Sequence, residues 1–326
     1  MNSTKREEPG KRRIFECFPF FNELEILEIH LNVLAPFIDY FVIVEATRNF
    51  MGQPKPLYFH ENRERYKAFE DKIIHVIVDD LKEELDLSVD EAIRRATGFE
   101  REAIQRQAMT RGLKGARPGD LIIISDVDEI IKPEALKKSL PRAPGKITYF
   151  EGVYYHYFLN WRLIGYKDLK TTRMIEMKNF RDGHHMRKTK GWRSKTLPNW
   201  VEYMMWLPYA ASRHGKLLGR QVMREGCWHL SFIMDSDQIR SKLQAYSHTE
   251  RTTEDFIGEG KIEERIANRI SMFGNTLSID PIETLPQFIQ DNLGQYRHLI
   301  DMDAIGEIKH LPSGINGDDN NNEQSA

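Results

Sequence analysis

The run Gly119-Asp120-Leu121-Ile122-Ile123-Ile124-Ser125-Asp126-Val127-Asp128-Glu129 constrains this chain more than any other stretch. Four branched apolar residues in a row, entered through a Pro-Gly turn, offer no polar face to water. They predict a strand covered on both sides, as in parallel sheets sandwiched by helices. The strand then runs into acid. Asp126 and Asp128 are two residues apart, so continued β geometry places both carboxylates on one face, and a bend at the strand end can aim both at one cation. Oxygen donors of this kind suit Mg2+ or Mn2+ shared with a substrate's phosphates. Open α/β sheets bind ligands beyond the carboxyl ends of their strands. The blander alternative is that these acids lead into the next helix, for which Pro133 at a first helical position supplies a start.

Composition narrows the setting. At 326 residues and 38.3 kDa the chain can bury a large core, which fits one elaborated α/β domain. Its 47 Lys+Arg balance 49 Asp+Glu, so nothing points to nucleic acid and any phosphate recognition must be local. Cys17 and Cys227 are too few for a disulfide framework, which predicts a reducing, cytoplasmic compartment. No apolar run approaches the roughly 18 residues of a spanning helix, and the N-terminus lacks the apolar core of a signal peptide; a soluble protein with no membrane span is expected. Residues 1–12 and 314–326 are polar and read as disordered tails around a single domain at 13–313.

Ile14–Phe18, Tyr40–Val44 and Ile73–Val78 read as three more strands, each stopping at proline or at polar and acidic residues. Asn22 is placed as a helix N-cap before Leu24, Leu27, Leu31 and Leu34, whose spacing is amphipathic. Strand and helix alternate as in a doubly wound sheet, which gathers the polar strand ends along one edge. Between the third and fourth strands, Phe99, Ala103, Ile104 and Ala108 mark a buried helical stripe. That leaves Arg101 and Gln105 on another face, either solvated or, beside a nucleotide, reaching phosphate or base.

Beyond Lys146 the chain turns aromatic: Tyr149, Phe150, Tyr154, Tyr155, Tyr157, Phe158 and Trp161. In a strand half of these face away from the core, so Tyr155 and Trp161 are candidates for a sugar platform, the alternative being core. Arg181 to Lys195 carries Arg181, Arg187, Lys188, Lys190, Arg193 and Lys195 with Trp192 among them, a basic loop that can clamp a leaving diphosphate or simply be solvated. His229 follows in the dense segment Gly226-Cys227-Trp228-His229, a structural histidine or a third ligand to a cation held by carboxylates.

Phe20-Phe21-Asn22-Glu23-Leu24-Glu25-Ile26-Leu27-Glu28, Phe41-Val42-Ile43-Val44-Glu45-Ala46-Thr47-Arg48 and Gly52-Gln53-Pro54-Lys55-Pro56-Leu57 resemble the N-terminal signature of glycosyltransferase family 17. The resemblance continues through Arg101–Arg106, Ile124–Glu129, Tyr154 to Trp161, Trp228-His229 and Ser247-His248-Thr249-Glu250. It implies a GT-A-like fold: a Rossmann-type mixed sheet flanked by helices, with a nucleotide-binding half near 13–132 and an aromatic-rich acceptor half near 133–313. It further implies a nucleotide-sugar donor, UDP-GlcNAc first among them, a glycan acceptor, Mn2+ or Mg2+, and inversion at the anomeric carbon. By analogy Pro19, Phe21, Asn22, Glu45 and Asp79 would line the nucleoside pocket. Asp126 and Asp128 would face ribose, metal and diphosphate, with His229 as a further metal ligand. Cys227 stands where the family pattern has Gly.

An inverting displacement needs a base to deprotonate the acceptor hydroxyl. Glu225, beside His229, is the first candidate by position; Asp182, in the basic loop, and Glu151 are the others. Two rival readings share the strand-end carboxylates: a nucleotidyltransferase, against which no Gly-rich phosphate loop is found in the N-terminal region, and a protein that binds nucleotide or sugar without turnover.

Overall fold

The computed structural model describes residues 12–84, 88–191, 198–245 and 254–304. The expected strands appear as β1 (Ile14–Phe20), β2 (Tyr40–Ala46), β3 (Ile73–Val78) and β4 (Leu121–Ile124). They are parallel and run β3-β2-β1-β4 across the sheet. Alternation along each strand feeds two separate cores. Phe18, Phe41, Ile43, Leu121 and Ile123 pack on one side, and Phe15, Cys17, Val42, Val44, Ile122 and Ile124 on the other. Each fully buried Ile or Phe is worth about 1.5–3 kcal/mol, which is why a run with no polar position is stable only when both faces are covered.

The helix Leu24–Leu34 covers the first face with Ile26, Leu27, Ile29, Leu31 and Leu34. Its cap differs from expectation. Glu23 occupies the cap position, and its carboxylate reaches back to accept from the backbone N–H of Asn22 at 3.0 Å, while the Asn22 side-chain oxygen is buried without a partner.

The second half extends the same sheet with mixed polarity. Next come β5 (Glu129–Ile131), β6 (Lys146–His156), β7 (Trp161–Asp168), β8 (Arg173–Glu176), β9 (Gly219–Ser231) and β10 (Leu277–Ile279). Of these, β6, β9 and β10 run with β1–β4, and β5, β7 and β8 run against them. β8 lies antiparallel to β4, and the order continues β8-β6-β7-β10. β9 runs parallel to β6 along its length and pairs with β5. This is the mixed sheet flanked by helices that the sequence implied. Pro133 does open a helix, Pro133–Ser139, so the short acidic turn is squeezed between β4 and β5. No helix among the described residues is long and apolar enough to cross a membrane.

One helix, Glu91–Gln107, buries polar side chains that the apolar pattern leaves outside. Of the expected stripe, Ala108 is buried just past the helix and Ile104 packs against the core, while Phe99 and Ala103 are only half-buried. The buried positions within the helix are Gly98, Arg101, Gln105 and Arg106. The polar ends of these side chains explain it. Arg101 donates to the carbonyls of Phe50 (2.9 Å), Lys82 (2.8 Å) and Glu83, and Gln105 Nε2 donates to the Val44 carbonyl at 3.0 Å. The helix therefore straps the loops after β2 and β3, satisfying carbonyls that would otherwise be buried unpaired.

Candidate functional site

A cleft of about 520 Å³ opens at the carboxyl ends of the parallel strands. Pro19 and Phe21 line it from the end of β1, Arg48, Asn49, Phe50 and Lys55 from the segment after β2, and Gln105 and Arg106 from the strap helix. Asp126, Val127 and Asp128 form its floor. Tyr154 and His156 of β6, His229 and Ser231 of β9, Phe232 and Lys242 close the far side.

The acidic turn is built from beneath. The backbone N–H of Glu129 donates to the Asp126 carbonyl at 3.0 Å, and the Leu230 N–H donates to the Asp128 carbonyl at 2.8 Å. His30 Nδ1 lies 2.8 Å from the Val127 carbonyl, and Ser125 Oγ donates to Glu16 at 3.1 Å. His30 and Glu16 are wholly buried and face one another at 3.2 Å, at ion-pair distance without hydrogen-bond alignment. Burial alone would lower the His30 imidazole, but Glu16 outweighs it and raises it.

The two aspartates meet opposite electrostatic surroundings. Asp126 is held on both oxygens, by Arg106 Nη1 at 2.7 Å and Arg187 Nη2 at 2.8 Å. Burial would raise its carboxyl, yet the two guanidinium groups hold it well below the usual range. Arg187 is fixed in turn by the fully buried Glu129, at 2.6 and 2.8 Å. Asp128 has looser neighbours: His229 Nε2 at 3.7 Å and Lys242 Nζ at 3.8 Å. Burial pushes its carboxyl above the ordinary value, against the pull of His229 and Lys242. Lys242 is committed mainly to Glu23, at 2.7 Å, with both side chains nearly buried.

A divalent cation fits here in part. At 3.7 Å, Asp128 and His229 are too far apart for a hydrogen bond but near the roughly 3–3.5 Å between two ligands sharing an ion at about 2.1 Å. His229 Nδ1 is a buried atom without a partner. Asp126 joins such a set only when Arg106 and Arg187 turn elsewhere; among the described residues no three His, Cys, Asp or Glu side chains are already grouped to hold a metal.

Several expected site residues lie outside the cleft. Glu225 sits at a bulge of β9, with φ of 48°, and faces a separate surface depression with Lys132, Lys138 and Arg142. Glu151 is buried opposite that bulge and accepts the Glu225 backbone N–H at 3.0 Å. Asp182 caps the helix Gly183–Lys188, accepting from the His185 N–H at 2.7 Å. None of the three proposed bases therefore faces the cleft.

Arg101 is a strap rather than a nucleotide contact. Glu45 is fully buried and accepts from the backbone N–H groups of Phe59 and His60. Asn22 is not among the residues lining the cleft, and Asp79 is exposed beyond β3. Tyr155 and Trp161 are core residues that donate to Asp280 and Asp301. Lys188 is exposed while its neighbour Arg187 reaches the acid. Trp192 and the Ser247–Glu250 block lie outside the described residues.

Tyr154 and His156, one residue out of phase with Tyr155, are the strand positions that reach the cleft. Alternation permitted either phase. Lys242 was readable in principle: with Ile239 and Leu243 it falls on the apolar stripe of the helix Ser236–Ala245, where a buried lysine requires an acid.

Fold and cleft together define a class: mixed α/β proteins with an acidic turn at the carboxyl ends of the parallel strands. Residues 2–157, just under half of the chain, match the model of Glycosyltransferase family 17. The rat and human proteins named beta-1,4-mannosyl-glycoprotein 4-beta-N-acetylglucosaminyltransferase are each 27% identical to it over 131 residues, 38% of this chain. The match spans only 22% of the length of those curated relatives. Among solved structures, an inositol-1-phosphate CTP transferase from T. maritima aligns with a TM-score of 0.35 and 11% identity, covering 70% of this chain and 93% of that one. A mannosyltransferase from Pyrobaculum calidifontis, in complex with GDP-Man and Mn2+, aligns with a TM-score of 0.34 and 10% identity, covering 75% and 66%.

Proposed function

We propose that this chain is a glycosyltransferase that moves a sugar, GlcNAc first among the candidates, from a nucleoside-diphosphate donor to a glycan hydroxyl with inversion, using Mn2+ or Mg2+. The observation that carries the reading is the Asp126-Val127-Asp128 turn in the cleft, flanked by Arg106 and Arg187. A divalent cation would be held by Asp128 and His229, with Asp126 completing the set, and would supply positive charge for the leaving diphosphate. The nucleoside would lie along Pro19, Phe21 and Lys55 at the ends of β1 and β2. Arg106 and Arg187 are placed to exchange Asp126 for phosphate oxygens, to which guanidinium groups bind in the same forked geometry. Tyr154, His156 and Phe232 would wall the sugar and exclude water.

The base passes from Glu225, Asp182 and Glu151 to the carboxylates on the cleft apart from the acidic turn, Glu23 and Glu102. Glu23 carries a lysine at 2.7 Å that holds its carboxyl below the usual range against burial, and Glu102 pairs with Arg106 Nε at 3.2 Å. Calorimetric titration with UDP- and GDP-sugars, with Mn2+ and then with chelator, tests the whole reading. Cation-dependent binding of one donor, followed by transfer with release of nucleoside diphosphate, is the expected result. Release of pyrophosphate from sugar phosphate and nucleoside triphosphate would establish a nucleotidyltransferase instead.

A further inference from the structure

The far wall of the cleft holds an unsatisfied group. β6 and β9 are parallel and in register, with Tyr154 opposite His229 and His156 opposite Ser231. All four line the cleft and form a two-by-two tile on one face of the sheet. His156 is only 1% exposed, yet its Nδ1 has no hydrogen-bond partner. Phe232 and Phe273 stand edge-on to its ring, with centroids at 5.5 and 5.9 Å. Both strands break immediately past the tile through non-glycine residues in the left-handed region, Tyr157 at φ 68° and Phe232 at φ 57°. Such conformations are strained and persist where the surroundings enforce them, as at ligand clamps. Here the paired breaks turn Phe232 into the cleft wall beside His156.

An unpaired buried nitrogen destabilises the fold unless something completes it. The surroundings say what that would be. Aromatic edges and faces suit the C–H surface of a pyranose, and a single buried nitrogen suits one hydroxyl. The sheet order places β1 and β2 on one side of β4 and β6 on the other, so this wall lies across the acidic turn from the proposed nucleoside side. We infer that the tile, with Phe232 and Phe273, is a pyranose subsite in which His156 Nδ1 reads a sugar hydroxyl. The inference rests on the glycosyltransferase reading for which sugar arrives, though not for the presence of a sugar site. The pyranose belongs either to the donor or to the acceptor.

Both sources are separable with His156→Phe, which keeps ring and burial but removes the nitrogens. Binding of UDP and UDP-GlcNAc is measured by calorimetry, and that of methyl β-glucoside, β-galactoside and β-mannoside by saturation-transfer NMR in the presence of UDP. Unchanged UDP affinity with UDP-GlcNAc weakened about tenfold assigns His156 to the donor sugar. Unchanged nucleotides with loss of glycoside binding assign it to the acceptor. Equal weakening of UDP and UDP-GlcNAc, or no change in any ligand, overturns the inference.

If the wild type binds no nucleotide but does bind a glycoside, and loses it in His156→Phe, the function reading fails while the subsite stands. If it binds neither, both fail. Should His156→Phe not fold, Phe273→Ala, at a side chain 47% exposed, serves the same comparison, and retained binding of every ligand by that variant counts against the subsite.

Discussion

The two walls of the cleft solve the problem of buried polarity in opposite ways. On the β4 side every charge is answered before any ligand arrives: Asp126 by Arg106 and Arg187, and Arg187 again by Glu129. On the β6–β9 side His156 and His229 each keep a buried ring nitrogen unpaired, and Asp128 meets His229 and Lys242 only beyond 3.5 Å. A ligand at the first wall must exchange partners, which favours anions able to outbid a carboxylate. At the second wall it completes what folding left unfinished, which favours neutral hydroxyls and, at Asp128, a cation. The same fold thus carries stability on one wall and binding capacity on the other.

Removing Arg187 should break this division most severely. Arg187→Ala strands the fully buried Glu129 and frees one side of Asp126, and truncating one partner of a buried pair costs about 3–5 kcal/mol. Urea unfolding measures it; a loss below about 1 kcal/mol would reduce the network to the worth of a surface ion pair. Asp128→Asn should do the reverse. Burial already resists its charge, so neutralising it leaves unfolding free energy unchanged or slightly raised, whereas cation-dependent turnover drops by about 100-fold. A variant that lost stability and kept turnover would exchange the roles assigned to the two walls.

The first wall was largely legible in the sequence. Buried strands announce themselves by unbroken apolar runs, and Leu121–Ile124 followed by Asp126 and Asp128 could end only at a sheet's edge. The second wall was not, because alternation fixes which residues share a face but not which face meets solvent. Choosing Tyr155 over Tyr154 inverted the tile, and in the strap helix the stripe through Ile104 and Ala108 missed the polar side chains buried beside it. In the helix the signal was misleading as well as missing. Arg101 and Gln105 are buried because backbone carbonyls of β2 and of the loops after β2 and β3 need donors, a demand set by residues about 20 to 60 positions away. The Glu225 bulge is likewise invisible until β9 is laid against β6.

Acid should expose the second wall first. Burial and His229 push His156 from 6.5 to about 3, so the unfolded chain takes up a proton there that the fold refuses. Its contribution is complete above about pH 6.5 and is lost as pH falls. At pH 5 that amounts to about 2 kcal/mol, from about 1.4 kcal/mol per unit. His30 works in the opposite direction, since Glu16 raises it and its contribution is present below pH 6.5. Urea unfolding of wild type and His156→Phe at pH 7 and pH 5 separates the two, and the variant should lose about 2 kcal/mol less on acidification. Equal losses would mean that His156 is protonated in the fold and that its wall is not dry.

Glu225→Gln should change least of all, and for that reason it sharpens the boundary between the walls and the rest of the surface. Its side chain faces Lys132, Lys138 and Arg142 rather than the cleft, and its backbone N–H, which Gln retains, makes the bond to Glu151. A base lost from an inverting transferase depresses turnover with donor binding intact, typically by 100-fold or more, whereas a charge removed at this exposed bulge should alter neither by more than about twofold. Steady-state transfer assays beside donor titration distinguish the two. A large fall in turnover at constant donor affinity would restore the base role to Glu225, and β9 would then have to rearrange around its bulge when the acceptor binds.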